Sequence, residues 1–478
     1  MSRTPEFPAL DPADLGRVRA ALQAADPNGR LAPIGLRRVI IGPDALPMLP
    51  AVVGDIARSS RVVLVMDRTP MRRGGRDLKP DVTLLLGERF AVDVAVIGAD
   101  RPEIHGDEHD LAEVRTAVTG AGCVVALGSG TITDLCKEGT RQAGSPPLIA
   151  VQTAASVNAF SDDMAVLVKS GTKRTTPSRW VDALLVDLQI LAGAPLPMTL
   201  AGFGDLMSVW TAPADWHLAS LLGMDPAYHP APVAMLKDPA RALLTHAGGL
   251  AEGQLDALDH LARVLTLSGF TMGVAGTTAP LSGTEHMISH LIDMEAMQQG
   301  RPAVLHGAQV AVAVILAAAA WQVFLNELDV RNADLDRAFP SPEDMEHVVR
   351  MAFATIDPDG RIGEECWSDY RKKLQRWHSA RPRVEAFIRD WSVHQTALAA
   401  MTTPPDRITA ALRAAGAPAR FSDLDPPVPP DVVRWALLNC HLVRNRCALV
   451  DLLFFLGWWD AGFVERLLET ARAAGGGL

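Results

Sequence analysis

The chain is poor in several features, and each shortage removes a class of function. Five cysteines in 478 residues form no Cys-x-x-Cys pair and leave an odd count. They do not build a disulfide framework and read as buried thiols of a reducing compartment. Basic residues are not in excess. Lys and Arg number 45 against 55 Asp and Glu, for a net charge of −10. That argues against general affinity for nucleic acid, although a small anionic substrate needs only a local basic pocket. The first 30 residues are charged and proline-bearing and lack the apolar core of a signal peptide. The longest apolar run, residues 308–323, is short and rich in alanine, so no membrane span is expected. A cytoplasmic protein without a nucleic-acid partner is the expectation. Internal repeats are also missing.

What remains is a composition of 48% hydrophobic and 21% charged residues, enough for two or three domains with a large core. The N-terminal part alternates apolar strands with helical segments. Strands are expected at 37–42 (RRVIIG), 61–67 (RVVLVMD), 92–98, 123–127 (CVVAL) and 148–151, with a helix over about 107–120. Near-continuous apolar strands joined by helices indicate a parallel α/β sheet. Beyond residue 194 the period becomes helical, at 202–222, 255–272, 308–328, 343–354, 373–391, 431–456 and 461–474. Proline-rich loops are expected at 225–239 and 421–430. The fold class is therefore α/β, with an N-terminal parallel-sheet nucleotide-binding domain at 1–194 and an all-helical domain at 195–478.

Three histidines stand out. His286 and His290 lie in LSGTEHMISHLIDM, and His306 follows in LHGAQV. A spacing of four residues places the first two on one helix face, a turn apart. Imidazoles on an apolar helix need partners for their nitrogens. A metal ion or an anionic substrate would supply them, and so would ordinary structural hydrogen bonds. Asp205, in the glycine-flanked AGFGDL, adds a carboxylate. One Asp and two His with an open fourth position suit a catalytic divalent metal.

A second signal is LGSGTITD at 127–134, after the CVVAL strand. Gly128 and Gly130 would let backbone amides approach a pyrophosphate at a helix N-terminus. The spacing is not Gly-x-Gly-x-x-Gly, and a tight turn is the competing reading. Asp67 ends an earlier strand, where a carboxylate binds the ribose diol and favours NAD over NADP; the alternative there is a turn cap. In QTAAS at 152–156, small residues leave room for a cofactor.

Taken together, GSGTITDLCK at 128–137, TAASVNAFS at 153–161, AGFGDL at 201–206, SGTEHMISH at 282–290, LHG at 305–307 and HLVRNR at 441–446 resemble the sn-glycerol-1-phosphate dehydrogenase family. That family belongs with the metal-dependent polyol dehydrogenases related to dehydroquinate synthase. The resemblance implies a dehydroquinate synthase-like fold with its active site in the cleft between two domains. It implies that Asp205, His286 and His306 hold one divalent metal, zinc or nickel, and that His290 faces substrate. It implies that Gly128, Ser129, Gly130, Thr131, Thr153 and Ser156 line NAD or NADP. The substrate would be a small phosphorylated polyol or ketose, and a homo-oligomer is expected. Two departures fall close to the reacting centre. Asn158 replaces the family's substrate-contacting Asp in Ser-x-Asp-Gly. Asp162 stands near the nicotinamide, where relatives carry a small residue such as Ser, and would repel the diphosphate or pair with a cation.

A lyase of the dehydroquinate synthase type and a non-catalytic NAD-binding homologue are the competing functions. The first starts its metal set with Glu and needs more Lys and Arg at the substrate. The second has no reason to keep three metal ligands. Lys169, Lys173 and Arg174 are candidates for substrate phosphate by position, with a solvated basic hairpin as the alternative. His105, His109 and His217 read as surface or supporting residues.

Overall fold

The computed structural model describes residues 5–101, 104–169 and 172–478. The chain forms two compact units. The first comprises Met1–Phe203 with Pro230–Thr277, and the second Gly204–His229 with Thr278–Leu478.

The first unit is built on a six-stranded sheet of β1 (Arg38–Gly42), β2 (Arg61–Met66), β3 (Ala91–Val96), β4 (Cys123–Gly128), β5 (Leu148–Gln152) and β6 (Ala183–Asp187), in the order β1-β6-β5-β4-β2-β3. Every pairing is parallel. Inner strands β4, β5 and β6 are buried along their whole length, which explains their unbroken apolar character. Edge strand β3 is largely exposed. The sixth strand, ALLVD, is one that the sequence reading passed over. Its final Asp187 is fully buried and accepts hydrogen bonds from the amides of Gln189 (2.9 Å) and Leu46 (2.9 Å).

The order of the strands creates a switch point. From β2 the chain moves outward to β3, then returns across β2 to β4 and proceeds to β5 and β6. The direction of winding therefore reverses between β2 and β4. In open α/β sheets the crevice at such a switch point, beyond the carboxyl ends of the strands, is where ligands bind. Asp67 follows β2. The glycine-rich turn follows β4 and opens helix α1 (Gly130–Gln142).

One expected loop is a helix. Pro230–Thr245 is α-helical with Pro239 inside it. Pro230 and Pro232 fall in its first turn, where a missing N–H leaves no helix bond unmade. This helix and Leu255–Ala275 pack together, with Thr271 Oγ1 donating to the Pro232 carbonyl at 3.1 Å. Both belong to the first unit.

The second unit is helical. Three of its helices carry the site: α2 (Leu196–Leu206), whose last turn belongs to this unit, α3 (Thr284–Gln298) and α4 (His306–Glu327). With a mean hydropathy of 2.0, α4 is long and apolar enough to cross a membrane, yet 94% of its apolar stretch is buried in protein. It is a core helix, packed by α3, Pro405–Ala415 and Ala461–Ala473. Two long helical expectations are interrupted. Residues 373–391 fall on α5 (Arg361–Ser379), α6 (Arg381–Arg389) and the start of Trp391–Ala399, because Pro382 begins a new helix. Residues 431–456 split into Pro430–Asn439 and Leu449–Phe455. The intervening loop is held by Arg446, which donates to the Ser282 carbonyl and to Thr278 Oγ1 (2.6 Å).

Lys373 and Asp451 form an ion pair at 2.5 Å with both side chains fully buried. Lys373 also donates to the His441 carbonyl, and Asp451 accepts from the Ala448 amide at 2.8 Å. Removing one member leaves an uncompensated buried charge. Asp451→Ala is expected to destabilise this unit by about 3–5 kcal/mol. Urea unfolding checks this; a midpoint equal to wild type would contradict it.

Candidate metal and dinucleotide sites

Asp205 sits on the last turn of α2, His286 and His290 on the first two turns of α3, and His306 opens α4. The fold brings all four together. Asp205 Oδ1 lies 3.4 Å from His286 Nε2 and 4.0 Å from His306 Nε2. One donor atom from each of Asp205, His286 and His306 lies within 4.8 Å of the other two. Bonds of about 2.0–2.1 Å to one tetrahedral ion separate ligand atoms by roughly 3.3 Å, so the three donors need only a small contraction. The His290 ring is 6.3 Å from that of His286 and 5.6 Å from that of His306, centre to centre. Gly204 makes the approach possible. A Cβ there would meet the Gly307 carbonyl oxygen at 2.3 Å, so any side chain would push the Asp205 turn away from His306.

The surroundings orient the ring nitrogens. His286 Nδ1 is 3.0 Å from Glu285 Oε1. A carboxylate only accepts, so Nδ1 carries a proton there; Nε2 faces Asp205, donating to it when the ring is protonated and offering its lone pair to a cation when that proton is lost. Glu285 is fully buried; it also accepts from the Gly283 amide (2.6 Å) and Thr211 Oγ1 (2.9 Å). On the other ligand, Ser289 Oγ donates to Gln309 Oε1 at 2.7 Å and lies 3.4 Å from His306 Nδ1. The Ser289 oxygen is thus free to accept from Nδ1–H, which again leaves Nε2 toward Asp205. Gln309 is held in turn by Asp293 (3.1 Å). Burial works against a charged His286, but Asp205 and Glu285 outweigh it and hold its pKa up to about 9. The same two carboxylates that attract a proton there would attract a metal cation.

Glu285 and Asp215 were not singled out from the sequence. Asp215 is buried and fastens the start of α3, accepting from the amides of Thr284 (2.8 Å) and Leu449 (3.0 Å). Burial, with the Glu285 charge adding to it, pushes its carboxyl up to about 7. The only sequence signal for Glu285 was its place beside His286.

A family model for iron-containing alcohol dehydrogenases matches residues 40–195. The chain is 28% identical over 437 residues to the glycerol-1-phosphate dehydrogenase (NAD(P)+) of Bacillus subtilis strain 168, covering 91% of this chain and 95% of that one. It is 30% identical over 283 residues to the enzyme of the same name from Haloquadratum walsbyi, covering 59% of this chain and 76% of the relative. The chain belongs to the glycerol-1-phosphate dehydrogenase family. It is an oxidoreductase of the alcohol dehydrogenase kind. Its fold is shared with a probable glycerol dehydrogenase from Sinorhizobium meliloti 1021, at a TM-score of 0.55 and 15% identity over 92% of this chain and 99% of that one.

In this family member the dinucleotide candidates follow strand ends of one sheet. Gly128 ends β4, and its carbonyl accepts from the Thr153 amide (3.1 Å) just past β5. Thr153 and Ser156 are almost buried, and Thr131 is exposed. Packing alone demands the glycines: a Cβ on Gly128 would sit 2.6 Å from Ile132 Cβ, and one on Gly130 would sit 2.7 Å from Val157. The side chain of Ser129, which precedes α1, makes no capping bond, so the first amides of α1 remain for an anion. Asp67 caps a turn, accepting from the Thr69 amide (3.0 Å) and hydroxyl (3.0 Å). It is half-buried at the switch point.

Asp162 was expected near the nicotinamide. It is buried and pairs with Lys137 Nζ at 2.7 Å. Lys137 is fully buried too; it also donates to the carbonyls of Ala159 and Met164 (2.8 Å) and has Asp134 at 3.6 Å. Burial raises the Asp162 pKa, and Lys137 opposes that rise. Of the two roles expected for this carboxylate, pairing with a cation is the one observed. Asn158 is half-buried on the loop so anchored, its carbonyl accepting from the Ser161 amide at 3.3 Å. The side chains of Lys169 and Lys173 lie outside the described residues, and Arg174 is already engaged. His109 pairs with Glu113 at 3.2 Å, and His217 packs on Tyr228.

Two substitutions test the metal centre. His306→Ala is expected to abolish metal binding, because two ligands rarely retain a catalytic ion. Glu285→Gln is expected to weaken it by about 10- to 100-fold, as loss of an orienting partner does. Elemental analysis and chelator competition read both; full metal content in His306→Ala would refute the ligand set.

Proposed function

We propose that the chain interconverts a small ketose phosphate and its polyol phosphate, dihydroxyacetone phosphate and sn-glycerol 1-phosphate or a close analogue. We assign the dinucleotide to residues 1–194 and the metal to residues 195–478. The observation that carries the proposal is the convergence of Asp205 Oδ1 with the Nε2 atoms of His286 and His306. In both histidines the partner of Nδ1 turns Nε2 inward. This set of one carboxylate and two neutral imidazoles fits a divalent ion such as zinc or nickel.

When bound, the ion supplies Lewis acidity toward the substrate's carbonyl or alcohol oxygen, and NADH or NADPH supplies the hydride. The chain supplies position. The amides at the start of α1, with Ser129 and Thr131, bind the pyrophosphate. Thr153 and Ser156 bound the same crevice, and Asp67 accepts hydrogen bonds from the ribose hydroxyls. Reduction of a ketone consumes one hydride at carbon and one proton at oxygen. His290, one turn past His286 and outside the ligand trio, orients the substrate hydroxyls and passes that proton from a ring nitrogen. Asn158 contacts the substrate with one acceptor and one donor where relatives present a carboxylate.

The primary test is spectrophotometric. Net oxidation of NADH by a ketose phosphate is expected; phosphate release without net NADH change would instead identify a lyase. Asp67 is expected to favour NADH over NADPH, and Asp67→Ser to narrow or reverse the preference. A wild-type preference for NADPH would remove Asp67 from the ribose.

Asn158 bears on the substrate. Loss of a charge-assisted hydrogen bond is worth about 1.5–3 kcal/mol, roughly ten- to a hundredfold in specificity. The wild type is therefore expected to be weak on glycerol 1-phosphate and better on an analogue bearing a carbonyl or carboxylate. Asn158→Asp should raise kcat/KM for glycerol 1-phosphate. Efficient wild-type turnover combined with a slower Asp variant would end this reading.

A further inference from the structure

The second unit contains a concentration of positive charge that the reaction does not use. The chain as a whole carries −10, yet residues 371–389 hold Arg371, Lys372, Lys373, Arg376, Arg381, Arg383 and Arg389 against a single acid, Glu385. Three of these cations meet in an open depression of about 560 Å3, lined by Lys372, Gln375, Arg376, Ser379 and Arg383 with Gly223. None of these residues belongs to the metal centre.

The depression follows from local structure. Lys372, Gln375, Arg376 and Ser379 fall at spacings of three and four along α5 and so share one face. Arg383 comes from α6, which starts immediately after α5 turns at Ala380. Gly223 follows the helix Ala212–Leu221 with φ of +74°, and a Cβ there would sit 2.7 Å from Arg383 Cδ. The missing side chain lets the stem of Arg383 lie against that helix end, and Arg383 lines the depression.

The cations are poorly compensated. Lys372 has Asp369 at 3.1 Å. Arg376 donates through Nη2 to the Asn445 carbonyl, while its Nε is buried and has no hydrogen-bond partner. Among the described residues neither Arg376 nor Arg383 has a carboxylate partner. The hydroxyl of Ser379 is spent on the Gln375 carbonyl (2.9 Å). Recognition thus falls to the Arg383 guanidinium, the remaining Nη1 of Arg376, the Lys372 ammonium and the NH2 of the Gln375 amide. Guanidinium forks match the paired oxygens of phosphate. The concavity suits a small ligand more than a flat polyanion face.

We propose that this depression is an anion site for phosphate or a soluble phosphate monoester, separate from the metal centre. It does not rest on the substrate assigned above, because binding of inorganic phosphate alone tests it.

The experiment is calorimetric titration of the full-length protein with inorganic phosphate at constant ionic strength. The variant is Lys372→Gln/Arg383→Gln, whose side chains are exposed; its melting temperature verifies folding. Arg381→Gln, adjacent but outside the depression, is the control. Wild type and control are expected to show a phosphate-binding event that the double variant weakens by about tenfold or more, as loss of charge-assisted bonds does. The KM for a ketose phosphate should not change in the double variant. Identical isotherms in wild type and double variant would overturn the proposal. So would a KM that rises in step with the loss of binding, which would make the depression the reaction's own phosphate subsite. Binding to vesicles containing phosphatidic acid without binding to inorganic phosphate would overturn it as well. If no ketose phosphate is turned over, the titration still stands on its own.

Discussion

Within one small volume of the second unit, Asp205, Glu285, Asp215 and the imidazoles of His286 and His290 are withdrawn from water, with His306 half-buried beside them. Desolvating so many ionisable groups is unfavourable unless each finds a partner of matching chemistry. That requirement organises the region. Glu285 accepts from His286, from Thr211 and from the backbone of Gly283. Asp215 is satisfied by two amides, one of them 234 residues distant in sequence. Ser289, Gln309 and Asp293 form a chain behind His306. Each outward partner consumes the Nδ1 proton and leaves Nε2 facing in. The cluster is therefore arranged by what lies behind Asp205, His286 and His306 as much as by those three side chains themselves.

Similar reasoning accounts for the other buried charges. Lys137 with Asp162, and Lys373 with Asp451, are ion pairs whose remaining hydrogen-bonding capacity goes to backbone groups of distant loops. Neither pair is efficient as a source of stability, since apolar replacements can do as well. Each does tie a loop to a helix. Lys137 fastens the loop bearing Asn158 to α1, the helix that the glycine-rich turn opens. Lys373 fastens the turn at His441 to α5.

Much of the fold was legible in the chain because burial writes directly into residue pattern. Strands β1 to β5 were readable as apolar runs, and α4 as the longest apolar helix; for β4, β5 and α4 the reason is that elements covered on all sides need no polar face. Strand β6 has the same buried apolar character and length as β5 but was passed over. The prolines at 230, 232 and 239 suggested a loop. That signal failed because two of them occupy a first turn, where proline is tolerated. The long helical periods at 373–391 and 431–456 hid their breaks. Helix-compatible residues continue through points where Pro382 or the contacts of Arg446 redirect the chain.

The site shows the same division. The sequence by itself singled out Asp205, His286, His290 and His306 by type and spacing, because donor chemistry belongs to the residue. It likewise determined that glycine-rich backbone follows a buried strand. Tertiary structure alone decided which carboxylates stand behind those side chains. Glu285 and Asp215 look like ordinary helix residues until Thr211, Gly283 and Leu449 surround them. It also decided that Asp162 serves Lys137, 25 positions away. The physical reason is desolvation. A charge's role is set by what replaces its water, and that replacement comes from segments far apart in sequence.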